Sequence, residues 1–263
     1  MTTKAIVLAA GFGSRLMPYT IDRPKCLVEL VGKSILERQM DVFTELGIAD
    51  VHVVGGYKFE KFAGLGHKLI FNELFETTNM VSSLFKASEH FDGRSDVVVC
   101  YGDIVFETSV LAEILRCDSD VALVSDLGWE NLWNLRMADP LSDAESFKVD
   151  AEGYITELGK KPHSTREIEG QFIGLIKFSR NFTPQLPDLY GNLNRNLTYD
   201  GQVFDQMYMT SFLQHLIELG NKIKAVPIER GWLEVDSVED LSIYESLYAS
   251  GDLDRYCRLG MAG

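Results

Sequence analysis

The run Ala5-Ile6-Val7-Leu8-Ala9-Ala10, broken at once by Gly11-Phe12-Gly13-Ser14-Arg15, constrains this chain most. An unalternated apolar run of this length fits a strand covered on both faces, and so a mainly parallel sheet between helices. The glycines behind it let a ligand approach the main chain, where backbone N–H groups suit a polyphosphate. The pattern is Gly-x-Gly-x-Arg, without the third glycine of a dinucleotide fingerprint, and the chain has no Gly-Lys-Ser/Thr loop. A dehydrogenase or P-loop enzyme is therefore disfavoured.

The rest of the chain continues the alternation. Ser34 and Glu37 form a capping box ahead of a helix that Gly47 stops. Stretches 51–54, 68–71, 96–101 and 120–125 read as further buried strands, with helical spacing over 81–91 and about 109–116. Strands and helices in turn imply βαβ units. The middle differs: 147–149 and 154–158 flank Asp150-Ala151-Glu152-Gly153, a hairpin signature. Then come a strand over 171–178, an exposed connection over 183–200, a helix over 203–219, and strands over 222–228 and 232–235. The last helix starts behind Ser237, with Glu239 and Asp240 in its first turn. The expectation is one α/β domain over 1–263 with a small β-rich insertion.

Charge narrows the chemistry. A formal net charge of −14 argues against nucleic-acid binding, which needs clustered Lys and Arg, but leaves room for a few local cations around one nucleotide. Such cations exist: Arg15, Arg23 and Lys25 lie on one loop stiffened by Pro18 and Pro24, as a triphosphate clamp requires. The apolar runs are too short for membrane insertion, and no signal-peptide pattern is readable at the N-terminus, so a cytoplasmic location is expected. Cys26, Cys100, Cys117 and Cys257 form no CxxC pair and read as reduced thiols. The histidines show no metal-ligand spacing, and no Ser-His-Asp or Cys-His arrangement is readable.

The segment Leu8-Ala9-Ala10-Gly11-Phe12-Gly13-Ser14-Arg15-Leu16-Met17-Pro18-Tyr19-Thr20, with Pro24-Lys25, resembles the signature loop of the sugar-phosphate nucleotidyltransferase superfamily. Tyr101-Gly102-Asp103 and Glu234-Val235-Asp236 resemble its two carboxylate strand ends. The resemblance implies the nucleotide-diphospho-sugar transferase fold, a Rossmann-like mixed central sheet flanked by helices. It implies a nucleotide-binding half over about 1–125, an acceptor-binding half with the β insertion over about 126–235, and a C-terminal helix over 236–263. By the same resemblance Asp103 and Asp236 hold Mg²⁺, Arg15 and Lys25 are the catalytic cations, and Leu8, Ala9, Ala10, Gly11 and Gly13 bind the nucleotide.

The block from Phe71-Asn72-Glu73 through Thr78-Asn79-Met80-Val81-Ser82-Ser83-Leu84 resembles the bacterial phosphocholine cytidylyltransferase branch, where it lines the base pocket. Asn79, Ser83, Gly56 and Tyr57 would then sit near a cytosine, although Asn79 also suits a plain helix cap. Trp129 and Trp133 share a helix face, as core or as a cation–π wall. Lys161 matches the lysine of the family's Glu-Lys-Pro element, whose glutamate is absent here, and Glu169 falls where the family's acceptor-binding acid lies. Together these features look most like capsule-locus enzymes that transfer CMP from CTP to phosphoglutamine or a related small phosphorylated acceptor. The alternatives are a hexose-1-phosphate uridylyl- or thymidylyltransferase, or a non-catalytic regulatory subunit. A monomer or homodimer is expected.

Overall fold

Along the first strand the side chains alternate between two buried faces, Ala5, Val7 and Ala9 on one and Ile6 and Leu8 on the other. In the computed structural model, which describes residues 2–260, this strand lies within a seven-stranded sheet. The strands are β1 (Thr3–Ala9), β2 (Asp50–Gly55), β3 (Lys68–Phe71), β4 (Asp96–Tyr101), β5 (Val121–Asp126), β6 (Gln171–Phe178) and β7 (Ile223–Ile228). Their order is β7-β5-β6-β4-β1-β2-β3. All neighbours run parallel except β6, which is antiparallel to both β4 and β5. The fold is the expected mixed sheet.

Helices cover both faces. On the first lie α1 (Ile35–Glu45), α3 (Thr108–Arg116), α4 (Trp129–Arg136) and α7 (Val238–Ser250). On the second lie α2 (Met80–Lys86), α5 (Leu186–Gly191) and α6 (Met209–Glu218). The capping boxes of α1 at Ser34–Glu37 and α7 at Ser237–Asp240 both form. The insertion contains the antiparallel hairpin Phe147–Val149 with Ile155–Leu158. A short antiparallel ladder, Ile104–Phe106 with Trp232–Glu234, joins the chain just past β4 to the segment entering α7.

Four expectations change in detail. The helix over 81–91 ends at Lys86 because its last turns tighten, Ala87 N–H bonding Leu84 and His90 N–H bonding Ala87. The 183–200 connection contains α5, entered through Pro184 and Pro187 in the first-turn positions where a missing N–H is harmless. The helix over 203–219 starts only at Met209. Ahead of it the Asp205 carbonyl accepts from the Asn79 N–H and the Ser82 hydroxyl, which docks this turn on α2. The helix over 236–263 stops at Gly251, whose φ of 81° ends it, and residues 261–263 lie outside the described residues.

Candidate active site

Parallel strands leave a crevice beyond their carboxyl ends, and here β1 and β4 open onto one. The loop after β1 turns at Gly13, φ 62°, where a Cβ would stand 3.0 Å from the Lys25 Cβ. Buried Thr20 donates to the Gly13 carbonyl at 2.9 Å, and the Tyr57 hydroxyl donates to the Thr20 carbonyl at 3.0 Å. Buried Cys26 then anchors the turn behind Pro24, so that the Lys25 side chain reaches inward and is only 14% exposed.

At the end of β4, Gly102 passes so close to β1 that a Cβ would lie 2.7 Å from the Leu8 carbonyl oxygen. The buried Gln39 amide on α1 donates to the carbonyls of Tyr101 (2.8 Å) and Ile104 (2.6 Å), which brackets the turn carrying Asp103. Asp236 follows the short ladder, and the Val235 N–H donates to the Asp103 carbonyl at 2.9 Å. The two carboxylates thus stand on directly bonded backbone.

Four charges meet there. Lys25 Nζ donates to Asp103 Oδ2 at 2.8 Å and to Asp236 Oδ1 at 2.5 Å, while Arg15 lies 2.5 Å from Asp236 Oδ2. Burial opposes the Lys25 charge, yet Asp103, Asp236 and Glu234 outweigh it and hold the ammonium well above its ordinary pKa. Arg15, at 69% exposed, swings over the mouth. Two carboxylates converging on one ammonium already define a cation position, and Asp103 Oδ1 is buried without a partner. These residues fit a divalent metal. Among the described residues no cluster of three or more His, Cys, Asp or Glu side chains is disposed to hold one. Two carboxylates alone match Mg²⁺ usage, in which substrate phosphates and water complete the shell.

Two cavities share this centre. The first, about 420 Å³, is lined by Leu8, Ala10, Gly11, Gly13, Arg15, Lys25, Asn79, Ser83, Asp103 and Asp236, all expected from the sequence. Ala9, Gly56 and Tyr57 are not on its wall. Ala9 faces the first core, Gly56 leaves room for Phe75, and Tyr57 packs behind Phe12 while holding the loop. Phe75, Thr78 and Met80, within the block expected to line the base pocket, are on its wall too, as are Phe12 and Tyr101, to which the sequence reading gave no role. Asn72 of the same block is fully buried, and its amide donates to Thr78 Oγ1 and Ser83 Oγ, both at 3.0 Å.

The second cavity, about 270 Å³, shares Arg15, Met80 and Tyr101 with the first and is walled by Trp133, Asp143, Glu145, Phe172, Thr210 and Glu234, among others. Trp133 Nε1 donates to Asp143 at 3.1 Å. Glu145 accepts from the Thr210 hydroxyl at a long 3.4 Å and forms no ion pair among the described residues. Burial pushes its carboxyl up to about 7, against the Thr210 bond, with Asp143 and Asp200 adding to the rise.

The three expected acceptor contacts lie off this wall. Trp129 is core, edge-on to Trp133 and 4% exposed. Lys161 donates to the Leu141 and Ser142 carbonyls, and Glu169 accepts from the Val149 N–H at 2.8 Å. Each stabilises the insertion instead. A helix period puts both tryptophans on one face but cannot say which is nearer the crevice.

Residues 5–190 match the family model of the MobA-like NTP transferase domain. The chain is 41% identical over 248 residues to CTP:phosphoglutamine cytidylyltransferase of Campylobacter jejuni, covering 91% of this chain and 98% of that one. It is 40% identical over 90 residues to choline-phosphate cytidylyltransferase of Streptococcus pneumoniae, covering 33% of this chain and 39% of that one. The solved structure of CTP:phosphocholine cytidylyltransferase from Streptococcus pneumoniae shares the fold, with a TM-score of 0.67 at 20% identity over 94% of this chain and 100% of that one.

Proposed function

The chain belongs to the MobA-like NTP transferase family and is a nucleotidyltransferase, and from that premise we propose that it transfers CMP from CTP to a small phosphorylated acceptor with release of pyrophosphate. Phosphoglutamine, phosphocholine or a similar compound is the acceptor, serving capsule or surface-glycan decoration in the cytoplasm of the cell. The observation that carries this reading is the cavity that holds Arg15, Lys25, Asp103 and Asp236, joined to a second cavity through Arg15, Met80 and Tyr101. One site then serves the nucleotide and the other the acceptor, in one domain whose halves are about 1–125 and 126–235. The chain acts as a monomer or homodimer.

An acceptor phosphate oxygen is ionised near neutral pH, so in-line attack on the α-phosphorus needs no general base. Asp103 and Asp236 would hold Mg²⁺, which supplies charge neutralisation on the nucleotide phosphates when bound. Lys25 lies where two anions must approach each other, and it lowers their repulsion. Arg15 draws the triphosphate inward as it leaves Asp236. The side chains then work by orientation, an effect worth about 7–11 kcal/mol in favourable cases.

A pyrophosphate-release screen of CTP, UTP, dTTP and ATP against phosphoglutamine, phosphocholine, 2-aminoethylphosphonate and glucose 1-phosphate tests this. CTP with an amine-bearing acceptor is expected to dominate. Preference for UTP or dTTP with the sugar phosphate would replace it with the hexose-1-phosphate reading, and silence from every pair would favour a regulatory subunit.

Glu145 favours an acceptor with a cationic end, because its carboxylate meets no protein cation. Glu145→Gln is expected to raise the acceptor KM by about tenfold or more and leave the CTP KM unchanged. The folded carboxyl keeps its proton up to about pH 7, above its ordinary 4.5. Acceptor affinity therefore rises as pH climbs through 7, while this residue's contribution to folding stability declines between pH 4.5 and 7. The variant should lose that rise in acceptor affinity. An unchanged profile, after correction for the acceptor phosphate's own ionisation, would remove Glu145 from acceptor binding.

A further inference from the structure

Asp236 owes its placement to more than its own strand. The segment Glu234–Ser237 makes few ladder bonds, since the strand before it ends at Glu234. One oxygen, Asp240 Oδ2, accepts from the backbone N–H of both Asp236 (2.9 Å) and Ser237 (3.0 Å). The same carboxylate is gripped by Arg136 at the end of α4, Nε to Oδ1 at 2.9 Å and Nη2 to Oδ2 at 3.1 Å. Arg136 Nη1 also donates to Glu234 Oε2 at 2.7 Å. This side chain is 2% exposed. One planar guanidinium therefore holds the residue two before Asp236 and the residue that fixes its backbone.

We propose that Arg136 is a positioning residue that sets the Asp236 carboxylate for the divalent cation; the proposal rests on the reading of Asp236 as a metal ligand. Packing alone does not account for an arginine here. Burying a charged trio is costly, and an apolar side chain of similar size would join α4 to α7 as well or better. What an apolar side chain would lose is the angular constraint of the fork, which fixes two carboxylates at once. The capping box of α7 needs only the Ser237 N–H on Asp240, yet Asp240 also carries the Asp236 N–H and the guanidinium. Partners behind a metal ligand orient it, and their loss weakens metal binding about 10- to 100-fold. Arg136 is also one turn from Trp133, with its guanidinium 5.7 Å from that ring. The helix that walls the acceptor cavity thus carries the residue that sets Asp236.

The test is a Mn²⁺ titration followed by electron paramagnetic resonance, on the whole chain with CTP present and acceptor absent, alongside thermal melts. Arg136→Lys keeps the charge but loses the fork. It is expected to weaken Mn²⁺ binding about 10- to 100-fold while metal-free CTP binding stays within twofold. Asp236→Asn separates the premise from the proposal. If that variant binds Mn²⁺ like the native chain, the metal reading falls; if it loses Mn²⁺ while folded Arg136→Lys keeps native affinity, the positioning role falls. Should Arg136→Lys fail to fold, Asp240→Asn replaces it, since an amide oxygen can still take the backbone N–H groups but cannot hold the fork. Native Mn²⁺ affinity in that folded variant would overturn the proposal equally.

Discussion

Asp103→Asn is expected to reduce pyrophosphate release by about a thousandfold or more while the melting temperature stays near that of the native chain, since removing even one charge-stabilising group from such a site costs about 10²–10³ in rate. The substitution is isosteric, and its surroundings say why it should be tolerated. One oxygen of Asp103 has no partner and the other meets Lys25, which keeps Asp236 as a second counterion. The backbone turn is held by Gln39 and Gly102, neither of which contacts the carboxylate through its side chain. Folding therefore loses little, and the centre loses one of the two charges that define its cation position. Native turnover in the variant, at unchanged metal dependence, would remove Asp103 from that role.

Lys25→Ala should lower kcat by about 10²–10³ and shift the CTP KM by only a few fold, because its charge matters most where the two phosphates approach. A loss confined to CTP affinity would contradict that role. A second signature belongs to the empty chain. Without the ammonium, Asp103 and Asp236 face each other with only Arg15 nearby, and like charges so placed repel. The variant should melt lower than the native chain in chelator. Added divalent cation should raise its melting temperature by more than it raises the native one, through binding linkage. Equal gains in both chains would mean that Lys25 does not occupy the cation position.

Much of this centre was legible because its parts are local in sequence. Gly11, Gly13, Arg15 and Lys25 sit on one loop, and a buried strand followed by glycines and cations has few other meanings. Asp103 and Asp236 came through the family resemblance alone, since a lone carboxylate at a strand end usually reads as a solvated turn or a helix cap. The three-layer fold followed from apolar runs separated by capped helices, and the Ser34–Glu37 capping box formed as its sequence requires. What escaped depends on tertiary geometry. Gln39 lies mid-helix among residues that look like an ordinary amphipathic face, and nothing local says that its amide bridges two carbonyls past β4. Glu145 follows a surface turn, and only the cavity shows that its charge lacks a partner. Trp129 and Trp133 are equivalent in sequence and equally buried in one core, and only the cavity shows that Trp133 also reaches its wall.

The short ladder that binds Ile104–Phe106 to Trp232–Glu234 has a consequence for timing. During synthesis the signature loop, β4 and Asp103 all leave the ribosome long before Asp236. Until the Trp232–Glu234 strand emerges and pairs, Lys25 has only one of its two carboxylates, and the rim of both cavities is open. The proposed centre therefore waits on the Trp232–Glu234 strand, which is made after the loop and the turn that it completes.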